Sequence, residues 1–161
     1  MPLSIDNNTV ATLSIFNPIT NQYIDYNMVD ELRVNENTLE SDMIEHSSKY
    51  AYFSAIANKA ENFERSAEVE LETVLANAEI NTRKKFAEDG ITKPTVGQIS
   101  AVVNTNEDVI DAKKRLSEAK GYTGLMKYIL KAFDARKDLL INISAQRRKE
   151  MELTGQGYRA N

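Results

Sequence analysis

Three short basic triplets hold most of the chemistry this sequence could perform: Arg83-Lys84-Lys85, Lys113-Lys114-Arg115 and Arg147-Arg148-Lys149. Closely spaced cations attract phosphate, and a chain that neutralises several phosphates binds nucleic acid with a steep salt dependence. Phe86 directly follows the first triplet, and tyrosines and phenylalanines recur through the same half of the chain. Such a ring offers either a packing surface or a face on which a base stacks. Any one triplet, taken alone, reads as a solvated helix face. Repetition favours an anionic partner, because an oligomer multiplies each cluster by the subunit number.

Other chemistry has little to work with. There is no cysteine and one histidine, His46, which argues against thiolate metal sites, cysteine nucleophiles and most histidine-dependent triads. His46 falls between Met43 and Tyr50 on an apolar helical stripe and reads as a packing residue. Asp42 and Glu45 are its acidic neighbours, but neither long helix has the E-x-x-H pair of a carboxylate-bridged metal site. Glu61, Glu64, Glu68, Glu70, Glu72 and Glu79 spread over several helix faces, as solvated surface does. No phosphate-binding glycine loop occurs; Gly121 and Gly124 lie within a helical pattern and read as a close helix crossing or a kink. A non-enzymatic protein without cofactor or metal is expected.

These groups must be positioned by 161 residues, 42% hydrophobic and 27% charged, enough for one domain with a core. No apolar run reaches the roughly 20 residues that span a bilayer, and the N-terminus lacks the basic and cleavage pattern of a signal peptide. A soluble cytoplasmic protein with no membrane partner is the expectation. Net charge is -4 but unevenly spread: residues 1–48 hold one basic residue, Arg33, against eight acidic, whereas from Arg83 onward 16 basic face 10 acidic. An anionic partner suits the second half and not the first.

Residues 9–16 and 22–28 are rich in β-branched and aromatic side chains around Asn17-Pro18-Ile19-Thr20-Asn21, which predicts a small hairpin in an acidic segment, residues 1–35. Two strands alone are marginal in water and need a helix or a neighbouring subunit beneath them. From Thr38 the period becomes helical, and no proline or glycine interrupts residues 36–89 before Gly90. Such a helix of about 50 residues runs roughly 75 Å. After the break at Gly90–Pro94, Thr95 and Gln98 form a capping-box signature for a short helix. Thr105 or Asn106 then caps a second long helix, with Glu107 and Asp108 in its first turn. The pattern predicts an all-α fold: a long antiparallel helical hairpin over residues 36–153 with a short connecting helix, and a mobile tail at 154–161. One thin hairpin buries little, so oligomerisation through helix packing is expected, with Leu130, Phe133, Leu140 and Ile143 exceeding what a single partner helix covers.

The second half also resembles a known family. The run Thr92–Val103, the segment Val109–Ala119, then Lys131-Ala-Phe-Asp-Ala-Arg-Lys-Asp-Leu-Leu140 and Arg147–Glu150 are similar to the UvsY-like recombination mediators of bacteriophages. Ala132-Phe-Asp-Ala-Arg-Lys137 matches the A-[FL]-D-A-x-K-like segment of their second helix, and the likeness covers about residues 45–152. The resemblance implies a single-stranded DNA-binding protein, active in phage recombination and repair, that forms a ring-shaped homo-oligomer. It would help load a RecA-like recombinase onto DNA covered by a single-strand DNA-binding protein. It assigns DNA contact to Arg83, Lys84 and Lys85, followed by Phe86, and oligomerisation to Phe133–Met151. The residue pattern leaves a second reading open: a helical scaffold or virion assembly protein whose basic triplets are surface only.

Overall fold

The structure, a computed structural model, describes residues 12–17 and 21–154. Most of the turn at 17–21, residues 1–11 of the acidic segment and residues 155–161 of the tail lie outside the described residues. Strands β1 (Thr12–Asn17) and β2 (Gln22–Asn27) lead into a short helix α1 (Met28–Leu32) and a 3-10 turn (Glu36–Thr38). Helix α2 (Leu39–Glu88), helix α3 (Val96–Asn104) and helix α4 (Glu107–Leu153) follow. The long hairpin of α2 and α4, with α3 between them in sequence, is the expected all-helical architecture with its small N-terminal sheet. Among the described residues no helix is long and apolar enough to cross a membrane.

The local stops and starts follow from individual side chains. Gly90 ends α2 in the left-handed region, at φ 79°, and Ile91 N–H donates to Phe86 C=O at 2.8 Å while Gly90 N–H donates to Ala87 C=O. Those two bonds satisfy carbonyls that the helix end leaves open. Thr95 and Gln98 close the capping box of α3: Gln98 N–H donates to Thr95 Oγ1 and Thr95 N–H to Gln98 Oε1. Asn106 accepts from Val109 N–H at the start of α4. Helix α1 escaped the sequence reading because it has only five residues, too few for a period; Asn27 caps it by accepting from Val29 N–H at 3.1 Å.

The chain divides into two compact units. The first contains the described residues up to Phe53 and those from Tyr128 onward. In it β1 and β2 pair antiparallel, with Ile15 opposite Ile24 and Leu13 opposite Tyr26. The hairpin rests on a helix: Tyr26 meets Phe53 edge-on at 5.5 Å, and its hydroxyl lies 2.6 Å from that of Tyr52. Phe53 in turn stacks on Phe133 of α4 at 5.1 Å, and both rings are fully buried. Burying each ring contributes about 2–3 kcal/mol. Lys49 of α2 bonds Glu31 of α1 at 2.8 Å. The described part of the acidic segment therefore packs on α2 through Tyr26 and Glu31.

The second unit spans Ser54–Lys127. Its seam is alanine-rich, with Ala57, Ala67, Ala78, Ala112 and Ala119 buried, as close approach of two helix backbones requires. Ile99 and Val103 of α3 join Ala78 and Val109 in a cluster against which Val74, Leu75 and Phe86 pack. Two ion pairs cross the seam, Glu70 with Arg115 at 3.1 Å and Glu68 with Lys120 at 3.5 Å. Gly121 and Gly124 mark no close crossing within the chain: α4 runs on through them, and a Cβ on either would meet no atom within 4 Å.

Candidate nucleic-acid interface

The last turns of α2 hold the first basic triplet. Arg83 folds back onto Glu79, its Nη2 2.6 Å and Nε 3.1 Å from Oε1, one helical turn away. Lys84 and Lys85 are exposed and make no ion pair among the described residues. Phe86 is half-buried against the Ile99, Val103 and Val109 cluster. Of its two readings, packing or stacking, the structure shows the packing side, with part of the ring still open to solvent.

In the second triplet every cation has a partner. Lys113 Nζ donates to Asn104 Oδ1 at 2.9 Å, Lys114 reaches Asp111 at 3.3 Å, and Arg115 pairs with Glu70. These are surface contacts of small energy, about 0–1 kcal/mol each, so a phosphate can compete for the cations. A groove of about 300 Å³ between the end of α2 and α3 includes Glu79, Arg83, Val96 and Asn104 in its lining. Of the two triplets only Arg83 lines this groove, and Lys113 reaches it through its bond to Asn104 at the wall.

The third triplet belongs to the first unit. Arg147, Arg148 and Lys149 lie in the last turns of α4, exposed and without an ion pair among the described residues. Nearby, Leu130 and Ile143 are half-buried, whereas Phe133 and Leu140 are 0% and 3% exposed. The expectation for Phe133 and Leu140 is thereby corrected. The chain's own fold covers both, Phe133 beneath Phe53 and His46, so neither is left over for a neighbouring subunit.

Sequence reasoning missed a buried polar cluster. Arg136 of α4 is 3% exposed and makes five hydrogen bonds. Its Nη2 reaches Asp42 Oδ1 at 2.9 Å, Nη1 the Asp42 carbonyl and His46 Nδ1 at 3.2 Å each, and Nε and Nη2 the Arg33 carbonyl at 3.3 Å each. A guanidinium only donates, so Nδ1 of His46 accepts and the ring proton sits on Nε2. Burial holds the His46 pKa below its ordinary 6.5, with Arg136 and Lys137 adding to the effect and Asp134 opposing it. The other oxygen of Asp42 accepts from Asn35 N–H and Thr38 Oγ1, so the carboxylate also organises the approach to α2. Burial and the Tyr52 hydroxyl push the Tyr26 phenol up to about 12. The Arg136 cluster ties α4 to the start of α2 and the loop before it. Among the described residues no group of three or more metal-ligating side chains occurs.

No protein-family model, curated protein or solved structure matches the chain.

Proposed function

We propose that the protein is a non-enzymatic recombination mediator of the UvsY-like type. It binds single-stranded DNA as a ring-shaped homo-oligomer and helps a RecA-like recombinase displace a single-strand DNA-binding protein during phage recombination and repair in the host cytoplasm. The observation that carries this reading is the set of five basic side chains, Lys84, Lys85, Arg147, Arg148 and Lys149, left exposed at helix ends without an acidic partner among the described residues. Arg83, Lys114 and Arg115 are by contrast held by carboxylates, while the exposed lysines outside the triplets without an ion pair among the described residues, Lys59, Lys93, Lys127 and Lys131, are isolated ones. Unpaired clusters at both long-helix ends suit a backbone polyanion. The acidic first 48 residues repel DNA and suit a protein partner such as the recombinase.

Titration of a labelled oligonucleotide, followed by anisotropy at two salt concentrations, tests the reading. Binding that weakens steeply with salt supports it, and no binding at low salt sinks it. The alternative, a helical scaffold or virion assembly protein without DNA binding, draws on the exposed apolar side chains along both long helices, Val69 and Ile80 on α2 and Tyr128 and Leu139 on α4. That reading expects assembly without any response to DNA.

A further inference from the structure

We propose that the second unit carries an assembly surface for a second copy of this chain, with α2 of one subunit lying on α4 of the next. The inference concerns the oligomer invoked above and stands or falls independently of DNA binding. On α2, Asn62, Ser66, Val69, Thr73, Ala76 and Ile80 recur at alternating four- and three-residue spacing, and all six are exposed. They form one row about half a turn away from Ala67 and Ala78, which face the chain's own seam. None of the seven charged residues from Glu61 to Glu79 falls on that row. A helix face meant only for water has no reason to exclude charge over five turns.

Helix α4 has a matching row, with Ile110, Ser117, Gly121 and Gly124 at the same spacing. Lys114 holds the one charged position, its ammonium 3.3 Å from Asp111. The two glycines are the second observation. Glycine is the poorest helix former after proline, and here no neighbour in the chain excludes a side chain, since a Cβ on either would meet nothing within 4 Å. What glycine permits at such a position is close approach of another backbone, and that backbone has to come from outside the chain.

Charge decides which face covers which. Between Glu61 and Glu79, α2 carries six acidic residues and one basic, Arg65; between Lys113 and Lys127, α4 carries five basic and one acidic, Glu118. Within the chain the helices already pair with that polarity, through Glu70 with Arg115 and Glu68 with Lys120. Glu72 and Lys127 make no ion pair among the described residues. Packing α2 on α2, or α4 on α4, sets like charges side by side. Packing α2 on α4 of another copy repeats the observed pairing. Such a contact joins two different patches of each subunit, so it is heterologous and generates a closed ring or an open filament.

Light scattering on the full chain, without DNA, tests the surface with two variants at exposed positions. Val69→Arg places a bulky cation on the α2 row facing the net-basic α4, and Gly121→Glu places a bulky anion on the α4 row facing the net-acidic α2. Wild type is expected at three or more times the 18.1 kDa chain mass, and each variant alone as a monomer. An equal mixture should give a dimer and nothing larger, because each variant retains the face the other lacks. Thr73→Arg, on the same α2 row, replaces Val69→Arg if thermal melts show that the latter unfolds. A monomeric wild type, unchanged masses in the variants, or a mixture that stays monomeric overturns the proposal. Loss of oligonucleotide binding with unchanged mass also overturns it and assigns these rows to nucleic acid. Failure of wild type to bind oligonucleotide leaves the mass results intact and counts only against the mediator reading.

Discussion

Arg136 and Asp42 lie 94 residues apart in sequence, yet a guanidinium nitrogen of the first sits 2.9 Å from a carboxylate oxygen of the second, with the arginine almost wholly buried. Burying a charge is costly unless a partner and further hydrogen bonds compensate it. Here the carbonyls of Arg33 and Asp42 and the imidazole of His46 take the remaining donors. The arginine therefore holds three pieces of chain in one arrangement: the loop at Arg33, the first turns of α2 and the middle of α4.

Removing one member of that pair exposes its role. Arg136→Met leaves Asp42 and His46 without their shared donor and is expected to cost about 3 kcal/mol. Arg136→Lys should recover only part of this, since an ammonium cannot fork between two carbonyls and a carboxylate. Urea denaturation reads both, and a midpoint for Arg136→Met equal to that of wild type contradicts the assignment.

The cluster also gives the fold a pH dependence with a defined sign. His46 is held neutral in the folded chain below its ordinary pKa of 6.5, by burial first and by Arg136 next. The unfolded chain takes up a proton near 6.5 that the folded chain resists, so stability is complete above 6.5, declines as pH falls from there toward the lowered folded value, and levels off below it. His46→Gln keeps an acceptor for Arg136 and cannot charge. Denaturation midpoints at pH 7.5 and 5.5 should differ for wild type and converge for the variant, this being the only histidine in the chain.

Leu140→Asp and Phe133→Ala are expected to act on folding before assembly. Both side chains are closed off within one subunit, and truncating a buried phenylalanine costs about 3–5 kcal/mol. Circular dichroism melts should show the loss directly. A native melting temperature for Phe133→Ala would place its ring outside the core.

These two residues show where reading the sequence reaches its limit. Spacing identified the apolar stripe of α4, but a stripe does not state whether a helix of the same chain or of another covers it. Signals that act over a few residues were legible: Gly90 as a stop, Thr95 with Gln98 as a capping box, Asn106 before α4. His46 was legible as a packing residue, and it lies beside Phe133 at 6.1 Å. Its bond to Arg136 was not, because nothing in either local pattern refers to a partner 90 residues away. That Phe86 packs against Ile99 and Val103 was not legible either, because α3 brings that cluster to it only in the fold.

The basic triplets differ in what the fold leaves free, and this separates their expected effects on DNA binding. Arg83, Lys114 and Arg115 already satisfy carboxylates, so a phosphate gains from each only the difference between two partners. Lys84, Lys85, Arg147, Arg148 and Lys149 have no such competitor among the described residues. Changing Lys84 and Lys85 to alanine, or the Arg147–Lys149 triplet to alanine, should weaken oligonucleotide binding equally across base sequences. The slope of log affinity against log salt should flatten by about 0.7 for each phosphate that the protein no longer neutralises. Lys114→Ala should change that slope less than either cluster does. Phe86→Leu keeps most of the buried volume and removes the ring, so it should leave affinity unaltered if the residue only packs. A slope untouched by both cluster variants would reduce these cations to solvated helix ends and leave the groove beside Arg83 and Asn104 as the remaining site for an anion.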